Sequence, residues 1–174
     1  MGNIQIIEEL IPRSDQIFIA FGKVNYEDSF CLSLETKKRF DVNFIILKII
    51  RYLPKWFMLL LNLRNAIASI FGLKKGKIDD VYDNLENLDF KQDQSIGGIF
   101  IILKENNLLI IELKDKHLDF SFSILIREEE GITKGSLGTV VKLNNFLGKI
   151  YFFLITPFHR LIIPNILKRL SSEI

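Results

Sequence analysis

The chain has 174 residues, 48% of them apolar and 25% charged, with a formal net charge of +2. That length encloses the core of a single domain, 1–174, and the composition excludes a disordered chain. Acids and bases nearly balance, and only Thr36-Lys37-Lys38-Arg39 and Lys74-Lys75-Gly76-Lys77 cluster positive charge, which excludes the broad basic face that nucleic acid requires.

Residues 1–24 are weakly patterned, with Ile17-Phe18-Ile19-Ala20-Phe21 the one strand-like run. Glu8 and Glu9 stand where a secretory signal carries lysines, and Ile6 stands where a myristoylation signal carries Ser or Thr. Neither export nor lipidation is expected. Cys31, the one cysteine, excludes an internal disulfide and a cysteine metal cage, and it fits a cytoplasmic setting.

Tyr26 to Leu34 alternates. Tyr26, Asp28, Phe30, Leu32 and Leu34 share one side and Ser29, Cys31 and Ser33 the other, which predicts a half-buried strand with a carboxylate on its apolar side. Asp41 then caps a helix to about Leu53, and Pro54 opens a second that Gly72 ends. In this second helix Lys55, Asn62, Asn65 and Ser69 form a polar stripe opposite Phe57, Leu60, Ile67 and Phe71. Arg64 falls within the apolar group.

Residues 74–97 form a long charged connection, read as a flap over one end of the domain. Strands follow at 99–104, 108–114, 117–126 and 132–143, joined by turns at Glu105-Asn106-Asn107, Asp115-Lys116 and 127–131. Gly135 and Gly138 suggest a bulge or bend in the last strand. A helix from about Asn145 to Ser172 ends the chain, and Pro157 and Pro164 are expected to kink or break it. Residues 44–63 are interrupted by Lys48, Arg51 and Lys55, and 150–158 fall short of the ~20 residues that cross a bilayer, so no transmembrane segment is expected.

Strand, two helices, consecutive antiparallel strands and a long final helix make an α+β fold. The sheet needs one face covered, and the last helix is its cover. That is the helix-grip arrangement, a curved antiparallel sheet wrapped around a C-terminal helix, with two helices between strand 1 and strand 2.

Six stretches carry a resemblance: Tyr26-Glu27-Asp28-Ser29-Phe30, Leu63-Arg64-Asn65, Phe71-Gly72-Leu73-Lys74, Asp115-Lys116-His117-Leu118-Asp119-Phe120, Leu147-Gly148-Lys149-Ile150-Tyr151-Phe152 and Pro157-Phe158-His159-Arg160. In this order the chain, over about residues 26 to 170, resembles an uncharacterised bacterial family of the START and birch-pollen-allergen-like superfamily. The resemblance implies the fold and an apolar ligand cavity. Modules similar to it are sometimes fused to a reductase-type dinucleotide-binding domain, which implies a reductase-type protein partner. This chain has no G-x-G-x-x-G, so no cofactor is carried over.

Three polar positions matter for function. Arg64 and Asp28 are each turned inward, where a lone charge costs several kcal/mol, so the two are expected to meet as an ion pair or to share a ligand. His159, with Phe152, Ile155, Ile162 and Ile163 as helical neighbours, is a satisfied core histidine or a polar contact in the pocket. His117 and Asp119 share the outward face of their strand, where a local histidine–carboxylate contact is expected and a metal site is not. The leading expectation is a cavity between sheet and final helix, lined by Phe30, Phe120, Phe122, Phe153 and Phe158, that binds a small apolar or amphipathic molecule. A second is an enzyme of cyclase, hydrolase or isomerase type using Asp28, Arg64 and His159. A third is an interaction module for the reductase-type partner, with the 74–97 connection as its docking element.

Overall fold

The computed structural model describes residues 5–11, 17, 24–36, 39–53, 91–96 and 99–172. Its elements are β1 (Gln5–Glu8), β2 (Tyr26–Leu34), α1 (Val42–Tyr52), β3 (Ser95–Ile96), β4 (Ile99–Lys104), β5 (Leu108–Lys114), β6 (Leu118–Glu129), β7 (Ile132–Leu143) and α2 (Phe146–Ser171). The strands form one curved antiparallel sheet in the order β1-β2-β7-β6-β5-β4-β3. The class is therefore α+β with a C-terminal helix. One placement is corrected: α1 lies between the second and third strands, because β1 adds a strand ahead of Tyr26. The four residues of β1 were too few to show an alternation. The helix expected from Pro54 to Phe71, and with it Arg64, lies outside the described residues.

Local rules hold closely in α1. Asp41 is extended and its side chain accepts from the Phe44 amide at 2.8 Å, as an N-cap should. Val42, Ile45, Ile46 and Ile49 then recur at helical spacing and turn to the sheet. They pack with Phe30, Leu32, Phe122, Ile124 and Leu137 from the strands and with Ile162, Ile163, Ile166, Leu167 and Leu170 from α2. Side chains buried this completely each contribute about 1.5–3 kcal/mol.

The opposite face of the sheet is also covered. Ile11 and Ile17 close over Ile110 and Val140 in a second, smaller core. Accordingly β2 is buried on both sides, Cys31 and Ser29 included, and is not the half-buried strand its alternation predicts. Gly138 belongs to this second face. A Cβ there would sit 2.7 Å from the Ser123 hydroxyl and 3.1 Å from Ile11, so a bare glycine lets the cover approach.

Three further expectations are corrected. The register of β7 is unbroken on both sides through Gly135 and Gly138, and the bulge lies in β4, between Ile101 and Leu103. Strand β6 continues to Glu129, since Arg127, Glu128 and Glu129 pair with Lys134, Thr133 and Ile132. The reversal needs only Glu130 and Gly131, whose φ values of 53° and 81° fit a tight hairpin turn. Finally, α2 runs unbroken through Pro157 and Pro164. Each proline removes one intrahelical bond, but packing of the second half against the core keeps the helix continuous.

Candidate functional site

Two elements bring polar groups into the helix-facing side of the sheet. On β2, the alternation that turns Phe30 and Leu32 inward also turns Tyr26 and Asp28 inward. In the register with β7, Asp28 lies opposite Thr139, which faces the same way. On α2, Gly148, Phe152, Ile155, His159, Ile163, Ile166 and Leu170 follow at three- and four-residue steps, the stripe that meets the sheet. His159 is the one imidazole in that stripe. It arrives over Asp28.

The contacts are specific. His159 Nε2 lies 3.3 Å from both carboxylate oxygens of Asp28 and 3.1 Å from Thr139 Oγ1. The Tyr26 hydroxyl donates to Asp28 Oδ2 at 2.6 Å. Tyr26 also meets Phe152 edge-on, with ring centroids 4.8 Å apart, and stands across from the His159 ring. Asp28 is 5% exposed and Thr139 1%, whereas the His159 side chain is 17% exposed. The carboxylate forms the floor and the imidazole the partly open side.

Electrostatics follow from these partners. Burial alone would raise the pKa of Asp28, but the hydrogen bond and charge of His159, with hydrogen bonds from Tyr26 and Thr139, hold it below the ordinary value. The phenol of Tyr26 is pushed upward by burial, by its bond to Asp28 and by the charge of that carboxylate. Asp28 is thus an ionised acceptor, and Tyr26 stays a donor. Because an ionised carboxylate only accepts, Nε2 of His159 carries the hydrogen that faces it. In the neutral ring Nδ1 is then the basic nitrogen. A histidine held this way is suited to orient a polar ligand or to pass a proton.

The structure brings together Asp28 and His159, and it adds Tyr26 and Thr139, which sequence reading did not single out. Tyr26 was legible in principle, two places before Asp28 on the same strand side. Thr139 was not, since only the β2–β7 register places it there. Phe30 and Phe122 are buried in the main core, and Phe120 is half-buried against it. Phe153 and Phe158 point outward from α2, because the helix turns its Phe152 and His159 side to the sheet. Among the described residues a cavity of about 20 Å³ lies between Leu32, Phe40, Ile45, Ile124, Leu167 and Leu170, room for a single water.

His117 stands apart. Its Nδ1 donates to Asn145 Oδ1 at 2.9 Å, and the same oxygen accepts from the Gly148 amide at 3.0 Å, capping α2. The contact expected with Asp119 is not made, since that carboxylate accepts from Asn144 and lies near Lys142. No cluster of metal-binding side chains occurs among the described residues.

The chain belongs to the family described as Protein of unknown function (DUF2867), which matches residues 20–166. No curated protein and no solved structure matches it.

Proposed function

From that family membership and the geometry around Asp28, we propose a START-like, helix-grip protein that binds a small apolar or amphipathic molecule between the sheet and α2. One observation carries the reading. An ionised carboxylate, a phenol, a hydroxyl and an imidazole converge beside the Phe152 ring. Ligand sites have this composition, a few convergent polar groups in an apolar wall. The polar end of the ligand is received at His159, whose side chain is 17% exposed. The apolar part lies along Phe120 and Phe152. The 20 Å³ cavity near Leu167 is not the site, being too small for more than a water.

A second reading is favoured by the carboxylate–imidazole pair itself. Asp28 fixes the Nε2–H tautomer of His159, the arrangement used to prepare an imidazole for general-base work. In that case the bound molecule is turned over, as in an isomerase or hydrolase.

Native mass spectrometry of gently purified protein, followed by solvent extraction, tests both. The expected result is a co-purifying molecule that His159→Gln retains at least about tenfold less well. Extraction of the same altered product after incubation with wild type, but not with His159→Gln, selects the catalytic reading. Protein that is repeatedly empty, with apolar probes failing to bind, overturns both.

A further inference from the structure

The first half of α2 carries a second face, turned away from the sheet. Phe146, Ile150, Phe153, Leu154, Phe158 and Leu161 descend one side at helical intervals, and all six are exposed, Phe153 by 78% and Phe146 by 71%. A contiguous apolar row of this kind marks an interaction surface on a folded domain. Charge adds an independent observation. From Phe146 to Ser171 the helix holds no Asp or Glu, while Lys149, Arg160, Lys168 and Arg169 are all exposed. Lys149 flanks the row near its start and Lys168 continues it beyond Leu161.

The helix is also less sheltered than a core helix of its hydropathy. Of its 18-residue stretch apolar enough to cross a bilayer, only 22% is buried. It does not cross a bilayer in this fold, because Ile162, Ile163, Ile166, Leu167 and Leu170 anchor its second half in the core.

We infer that this face docks on an anionic lipid bilayer, with the apolar row at the headgroup–acyl boundary and the flanking cations against lipid phosphates. Charge favours this occupant over a second copy of the chain. Two such helices face to face would set cation against cation, with no acid on either to pair them. Arg160 contributes least, since Glu8 already accepts from its guanidinium at 2.7 and 3.0 Å. The inference is independent of the reading made for the Asp28 site.

Flotation of the full chain with vesicles tests it, comparing equal parts phosphatidylcholine and phosphatidylserine with phosphatidylcholine alone. The expected result is flotation with the mixed vesicles, about tenfold weaker with phosphatidylcholine alone and reversed by high salt. Phe153→Asp with Leu161→Asp, and separately Lys149→Glu with Lys168→Glu, each weaken flotation at least about tenfold while thermal melting is unchanged. Because the second pair leaves every apolar side chain in place, it decides the matter even where the first disturbs folding. Four results overturn the inference. Wild type fails to float. Both double variants float as well as wild type. Retention survives alkaline carbonate, which indicates a spanning helix. The free protein is a dimer that the aspartate pair dissociates, which assigns the face to a second copy.

Discussion

At the start of α2, His117 reaches across to Asn145, and the amide oxygen it bonds also caps the helix at Gly148. Halfway along the same helix, His159 reaches down to Asp28 and Thr139 on the sheet. Both imidazoles join one element to another. The first bonds a neutral amide inside a network of turn contacts, Asn144 and Asn145 holding the backbone of Asp115, Lys116 and His117. The second bonds an ionised carboxylate whose other oxygen is held by a phenol. Residue type alone does not set the role of a histidine. The charge of its partner, and whether a side of the ring remains open, decide it.

The turn contacts around His117 are broken most severely at Gly148. A Cβ there would lie 2.1 Å from the His117 carbonyl oxygen and 2.9 Å from its carbon, both backbone atoms that cannot swing aside. Gly148→Ala should therefore cost about 3 kcal/mol, read as a fall in the urea midpoint. This is the largest effect expected from any single methyl group near either histidine.

At the other histidine, Asp28→Ala strands three donors around a buried hole and should cost about 2 kcal/mol. Its pH dependence separates the two regions further. The folded pKa of Asp28 is depressed below the ordinary 3.8, so its stabilisation is complete above that value and is lost as pH falls through the lower, folded one. Urea unfolding across that acid window should show a slope in wild type that Asp28→Asn lacks. Asn145→Ala, which removes a neutral group, should shift the whole curve down while leaving the slope intact. A slope that persists in Asp28→Asn would assign the acid sensitivity to another carboxylate.

The Asn145→Ala shift itself should be about 1 kcal/mol, the usual worth of an N-cap. Smallest of all is Phe153→Asp, within about 0.5 kcal/mol in thermal melting, since the ring is exposed and supports no packing. A larger loss there would mean that the outer face of α2 is covered by the chain itself.

Several features could be read from sequence because they depend on neighbours in the chain. The Asp41 cap, the β4–β5 reversal, and the inward set Tyr26, Asp28, Phe30, Leu32 and Leu34 are of this kind. Others were hidden. Gln5–Glu8 is too short to display a period, and its pairing with β2 supplies the stability its own pattern lacks. The second core over the outer face depends on Ile11 and Ile17 meeting Ile110 and Val140, residues remote in sequence. Pro157 and Pro164 do not break α2, because the loss of two backbone bonds is small beside the burial of five apolar side chains.

Sequence alone makes Asp28 a carboxylate on the apolar side of a strand and His159 an imidazole on an apolar helix, each in need of a partner. That much follows from the two- and three-to-four-residue periods, which are local. That they satisfy one another, with Thr139 and Tyr26 beside them, comes from the folded arrangement. The choice depends on the β2–β7 register and on which side α2 turns to the sheet, and both are fixed by burial summed over the whole core.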